Sequence, residues 1–215
     1  MAQTKSESSP FVLSRVSISD LPELVFLEFD CFPPFIRSIF LGCDTKDELF
    51  KIQRVYAQNM QDDPHDIWTK VVDRESGKII AASNWKVHIN GTSNGGVGDE
   101  PLPWLDAETY DKSKEICDKM KVARANSMPG PFIHLHICFT DPEYRRRGAG
   151  GLMLQWGCDL ADQLGLPGWI EASEEGNFLY KAFGFYDFEK IEGEMAGTNM
   201  KRDAKVELAV GGKLK

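Results

Sequence analysis

Phe132 to Leu164 reads FIHLHICFTDPEYRRRGAGGLMLQWGCDLADQL. Phe132, Ile133, Leu135, Ile137 and Phe139 place β-branched and aromatic residues at close spacing, which predicts a strand. Asp141-Pro142 ends it, because proline has no amide donor for a ladder and fixes φ. Leu152, Trp156, Leu160 and Leu164 then recur at spacing four, with Met153, Gly157 and Ala161 widening the stripe, which predicts an amphipathic helix. Gly165 supplies its stop, with Pro167 close behind. Trp169-Ile170-Glu171-Ala172 reads as the next strand, buried and parallel to the first through a right-handed crossover.

The turn between strand and helix is the informative part. Arg145, Arg146, Arg147, Gly148, Ala149, Gly150 and Gly151 sit where the helix begins, with no Ser, Thr, Asp or Asn at Arg147 or Gly148 to cap its first amides. Glycines remove the Cβ atoms that would hold a ligand away. Open amides, the positive helix end and three guanidinium groups make an anion site suited to a phosphate or pyrophosphate. No Gly-Lys-Ser/Thr closes the turn, so it is not a P-loop, and the third glycine of the dinucleotide fingerprint is missing.

Arg145-Arg146-Arg147-Gly148-Ala149-Gly150 resembles the acyl-CoA-binding motif of the GNAT acetyltransferase superfamily, Arg/Gln-x-x-Gly-x-Gly/Ala, at every fixed position. Downstream, the stretch from Asn177 through Tyr180 to Gly184-Phe185 resembles the family's Asn…Tyr…Gly-Phe segment, with one expected strand between the two motifs. The close resemblance covers about Phe132 to Phe188; the N-terminal half matches only in its order of elements. The resemblance implies a mixed α/β (α+β) fold, a mostly antiparallel central sheet with a splayed parallel strand pair and flanking helices. It implies acetyl-CoA as cosubstrate, without a metal. The pantetheine arm would bond the edge of Cys138, Phe139 and Thr140. The phosphates would rest on the amides from Arg147 to Leu152 beside Arg145 and Arg146, and Asn177 would hold further CoA polar atoms. It implies direct transfer of the acetyl group to an amine, with Tyr180 in the family's tyrosine position as proton source for the departing thiolate.

A base is read from the residues themselves. His134 and His136 lie two apart on a strand and face the same way, with Cys138 on that face. Imidazole accepts a proton near neutrality. His134 falls near the position where some relatives carry a base glutamate, and Glu171 on the neighbouring strand is the second candidate. Core hydrogen bonding competes as the role of the histidines, a salt bridge as that of Glu171, and packing as that of Tyr180.

The 215 residues carry 42% hydrophobic content, 33 acidic and 25 basic residues, and a formal net charge of −8. One domain over residues 11–210 is expected, behind a polar tail at 1–10. The charge disfavours a nucleic-acid partner and favours a small-molecule amine acceptor. No run reaches the roughly 18 apolar residues of a membrane span, and the first ten residues have no apolar h-region. Five scattered cysteines without a C-x-x-C pair argue against zinc and against a disulfide framework, and suit the cytosol or nucleus. Cys138 and Cys158 read as small core residues.

Along the chain, strands are expected at Phe11 to Val16, Ile67 to Val72 and Ile79 to Ile89, with a hairpin turn at Arg74 to Lys78. Helices are expected from Ser19-Asp20 to about Phe32 and, through a Thr45-x-x-Glu48 capping box, to Asn59 or Met60. Phe32 to Leu41 is an apolar segment that serves either the core or a wall of the acceptor pocket. Residues 91–130 read as an insertion with loop chemistry at Thr92 to Gly96 and Pro101 to Pro103, and a mostly polar, exposed helix from Asp106 to about Arg124. Three roles stay open for it: a cover over the acceptor site, a subunit contact, or a surface excursion. A short helix from Gly176 to Phe183, a strand through about Lys190 and another within Asn199 to Leu208 complete the order. The expected protein is an N-acetyltransferase acting as monomer or homodimer. A protein lysine or N-terminal acetyltransferase and a non-catalytic acyl-CoA-binding module are the alternatives.

Overall fold

The computed structural model describes residues 9–91 and 100–205. Among them a seven-stranded sheet runs in the order β1-β2-β3-β4-β5-β7-β6, with β1 Phe11–Arg15, β2 Asp66–Asp73, β3 Ile79–His88, β4 Phe132–Thr140, β5 Gly168–Ala172, β6 Tyr186–Ile191 and β7 Gly197–Arg202. Every pairing is antiparallel except β4 with β5. The last strand begins earlier than read, at Gly197, and inserts between β5 and β6; its expected end at Leu208 and the loop at Thr92 to Gly96 lie outside the described residues. No helix of the described residues is long and apolar enough to cross a membrane.

One face of the sheet carries α1 (Leu21–Cys31) and α3 (Phe50–Asp62), whose Leu24, Val25, Ile52 and Tyr56 pack on Trp68, Ala82 and Phe139. The Thr45 to Glu48 capping box does not form. A 3-10 turn at Lys46–Glu48 comes first, and Glu48 pairs with Lys51 instead. Between α1 and α3, the short α2 (Pro34–Ile36) runs into a π-helical turn at Arg37–Leu41, ended by Gly42 at φ +59°.

Glu28 lies inside this layer, 1% exposed, accepting from the Tyr56 hydroxyl at 3.1 Å. Burial pushes its carboxyl from the ordinary 4.5 up to about 8, with the Tyr56 bond pulling the other way. The folded protein then holds a proton that the unfolded chain releases, so stability falls as pH rises from about 4.5 to about 8. Glu28→Gln keeps an acceptor for Tyr56. It is expected to flatten the decline in melting temperature between about pH 5 and about pH 8 that calorimetry reads in the wild type.

The other face carries α5 (Ala149–Leu164), which buries Ala149, Met153, Leu154, Gly157, Cys158 and Ala161. The stripe therefore lies about a residue round from the expected one: Leu152, Trp156 and Leu160 sit at its margin, and Leu164 is 49% exposed. Gly157 sets this packing, because a Cβ there would meet the Trp85 ring at 2.1 Å. Gly157→Ala forces that fully buried ring aside. It is expected to cost roughly 1–3 kcal/mol in urea unfolding.

Two further helices complete the layers. α4 (Ala107–Ser127) is capped by Asp106, whose carboxylate accepts from the amides of Glu108 and Thr109. It is polar but not wholly exposed as read, since Ser113, Cys117 and Arg124 are buried. Its C-terminal end covers Phe132 and Trp169 through Ala123 and Met128. α6 (Glu174–Ala182) is capped by Ser173 and packs beside α5 and β5.

Candidate active site

β4 and β5 pair only over Ile133↔Gly168, His134↔Trp169 and Leu135↔Ile170. Beyond Leu135, β4 continues to Thr140 against β3 alone, while Glu171 and Ala172 pair with β7. The two parallel strands part there.

A β-bulge marks the same point. Asn84 opposes Ile137 and Trp85 opposes Leu135, so His136 is an extra residue on β4. Alternation reverses across it. Ile133 and Leu135 pack on the α5 side and Ile137 and Phe139 on the α1–α3 side, while Cys138 turns to α5. Cys138 therefore does not share the face of His134 and His136, contrary to the even spacing. Burial pushes its thiol up to about 12, so it stays protonated and packs as a core residue.

The residues expected to hold the phosphates form the turn into α5, where the strand-turn-helix reading placed it. Gly148 is the N-cap of α5 at φ +100°, with no side chain bonded to the first amides. A Cβ added at Gly148 or Gly151 would meet nothing within 4 Å. The helix start is thus open to an anion. Gly150 differs: a Cβ there would sit 2.8 Å from Leu179 of α6, so this glycine serves the α5–α6 approach. Ala149 is buried and Leu152 sits at the margin of the core.

The arginines do not act alike. Arg145 donates from Nε to the Thr140 carbonyl at 3.2 Å and pairs with Glu175 at 2.7 Å. Arg147 lies over the Tyr144 ring at 4.9 Å and the Phe11 ring at 5.4 Å. Arg146 takes φ +61°, the one described non-glycine residue with positive φ, a conformation that collects at functional turns.

Tyr180 projects from α6 into the cluster that holds Leu135, Leu154 and Cys138. It is 8% exposed. Burial is the main cause that holds its phenol well above the ordinary value, with the neighbouring Cys138 adding to it. The group keeps its proton at neutral pH and faces β4 where the strands part. Asn177, a turn earlier, donates its amide to Asp187 at 2.9 Å.

His134 is 1% exposed, and its Nε2 meets Glu171 Oε2 at 2.7 Å. Glu171 Oε1 accepts from Arg124 at 2.8 Å and from the Trp169 indole at 2.7 Å. Burial opposes ionisation of Glu171, but Arg124, His134 and these hydrogen bonds outweigh it and hold the carboxyl far below the usual carboxylate range. Alone, Glu171 is a weak base. His136 stands in front, half-buried, its ring centroid 5.3 Å from that of His134. It shares a small pocket with Tyr56, Trp68, Asp66, Asn84 and Lys86. Burial raises the Asp66 carboxyl against the opposing pull of Lys86 and Asn84.

Sequence reasoning passed over Arg124, Asp66 and Lys86. Only Arg124 left a trace, lying eleven residues after Ser113 and seven after Cys117, on one helical stripe.

Comparison with known proteins agrees with this architecture. The profile of the acetyltransferase (GNAT) family matches residues 34–185, more than two thirds of the chain, so the likeness reaches well ahead of Phe132. An uncharacterized N-acetyltransferase of Schizosaccharomyces pombe is 35% identical over 57 residues, 26% of this chain and 24% of that protein. The protein named "Probable acyltransferase SID5" of Ajellomyces capsulatus is 26% identical over 108 residues, 47% of this chain and 69% of its own length. The match thus spans about a quarter of the first relative. In structure, arylalkylamine N-acetyltransferase 2 of Aedes aegypti shares the fold at a TM-score of 0.63, with 10% identity, over 89% of this chain and 97% of that one. With a seven-stranded sheet splayed at β4 and β5 and a family profile covering most of its length, the chain belongs to the acetyltransferase (GNAT) family.

Proposed function

We propose that the protein is an acetyl-CoA-dependent N-acetyltransferase that moves an acetyl group directly to the amine of a small molecule. One conjunction carries the reading: α5 starts without a capping side chain, the end of β4 that precedes it has no β5 partner, and the Tyr180 phenol packs in the cluster that Cys138 of that end joins. Amides from Gly148 to Gly151 hold the diphosphate, supported by Arg145 and Arg146; the Leu152 amide, expected among them, donates to the Gly148 carbonyl at 3.2 Å and is not free. The edge of β4 from Cys138 to Thr140 carries the extended arm, which sets the thioester near the bulge at His136.

The acceptor comes from the α3 side, into the pocket of Tyr56, Trp68, Asp66 and His136. The pocket sets the Tyr56 and Trp68 rings beside Asp66, Asn84 and Lys86, and the acidic balance of the chain favours an approaching cation. The amine nitrogen attacks the carbonyl carbon, the carbon–sulfur bond breaks, and Tyr180 gives its proton to sulfur. His136 takes the proton from nitrogen and hands it to His134, which Glu171 orients.

The test is release of free thiol from acetyl-CoA in the presence of pooled small amines, then of pooled peptides. Amine-dependent thiol release is expected with the first pool. Coenzyme A binding without release in either pool would make the protein a non-catalytic binder, and release with peptides alone would move the acceptor to proteins.

A further inference from the structure

Helix α4, the insertion between β3 and β4, is tied to three parts of the acceptor side. The Ser113 hydroxyl donates to the Ile39 carbonyl at 3.1 Å. Lys112 lies 4.9 Å from the Phe35 ring and pairs with Glu194 of the β6–β7 turn at 2.5 Å. Arg124 enters the interior, its side chain 2% exposed, and binds Glu171 of β5. A guanidinium taken wholly out of water is costly unless paired, and a surface helix needs no such group.

The pairing has a consequence for His134. Glu171 is shared between a permanent cation and a titratable imidazole: Arg124 and the Trp169 indole on Oε1, His134 on Oε2. With Arg124 in place, the carboxylate charge is already balanced. Without it, the buried charge favours protonation of His134, and a protonated imidazole accepts nothing. Other groups facing His134 include His136 on its own strand and, on β3, Lys86 opposite it and His88 at a ring distance of 5.9 Å.

We infer that Arg124 is a positioning residue of the acetyl-transfer site, supplied by the inserted helix, which fixes Glu171 and keeps His134 neutral and able to accept a proton. The inference rests on the proposed function, in which the histidine pair takes the amine proton. The insertion is then part of the site and not a surface excursion.

The experiment follows the imidazole titrations of His134 and His136 by NMR in the full chain labelled with 15N-histidine, with His134→Gln to assign the signals. Arg124→Met is expected to raise the His134 midpoint by about one pH unit or more. Arg124→Lys, which keeps the charge without the planar fork, is expected to move it less in the same direction. The double variant Arg124→Met, Glu171→Gln, with no unbalanced carboxylate, is expected to return it to the wild-type value or below. If Arg124→Met does not fold, Arg124→Lys and the double variant carry the comparison. A midpoint that stays put in Arg124→Lys and Arg124→Met overturns the inference and leaves the proposed function standing.

The same variants are assayed with an amine acetylated in the pooled assay. The acid limb of kcat/KM is expected to follow the His134 midpoint, whereas a purely structural role would lower the rate equally at every pH. A midpoint that moves while the limb does not would overturn the inference together with the role of His134 in the reaction.

Discussion

Tyr180→Phe is expected to lower kcat about 100-fold or more while changing the dissociation constant for coenzyme A by less than about threefold. The phenol is buried, keeps its proton, and receives no hydrogen bond from the protein that the substitution would orphan. Phenylalanine fills the same space among Leu154, Cys138 and Phe185, so the fold should lose little. Only the proton available to the departing thiolate is removed. Steady-state kinetics with saturating amine, beside a binding titration, separates the two quantities. Equal loss of turnover and affinity would make Tyr180 a packing residue, and unchanged turnover would place the acid elsewhere.

Gly151→Asp is the second large expectation. Residue 151 is the third of α5, and an added Cβ meets open space. A carboxylate there satisfies the exposed amides and suits the helix dipole, so thermal stability should hold or rise slightly. The same carboxylate stands where the diphosphate must lie. Like charges in that proximity cost several kcal/mol, so coenzyme A affinity should fall by about 100-fold or more. Gly150→Val is a poorer probe because it also pushes on Leu179. Retained affinity in a folded Gly151→Asp protein would move the phosphate site away from α5.

The central unit was legible because its signals are local. Pro142 after Asp141, glycines at 148, 150, 151 and 165, and the absence of a capping side chain are properties of single positions, and each acts on the backbone around it. The insertion could be bounded for the same reason, since Asp106 caps its helix with its own carboxylate. The bulge was not legible. It arises from how β4 registers on β3, and nothing in His134-Leu135-His136-Ile137 announces that two consecutive residues will line one face. That register turned Cys138 away from the histidines and put His136 in front of His134. The Thr45 to Glu48 box failed because the chain spends those residues on a 3-10 turn. Glu28 and Arg124 lay hidden for a further reason: a charged residue inside a helix is usually a solvated one, and only tertiary contacts show which are buried.

Acetyl transfer at this site depends on the grip of α5 on a diphosphate. Isothermal titration of the full chain with coenzyme A and, separately, with pantetheine, which has the arm but no phosphate, asks about that grip directly. Coenzyme A is expected to bind with micromolar affinity and pantetheine at least about 100-fold more weakly. Equal affinity for the two, or no heat with coenzyme A, would contradict it.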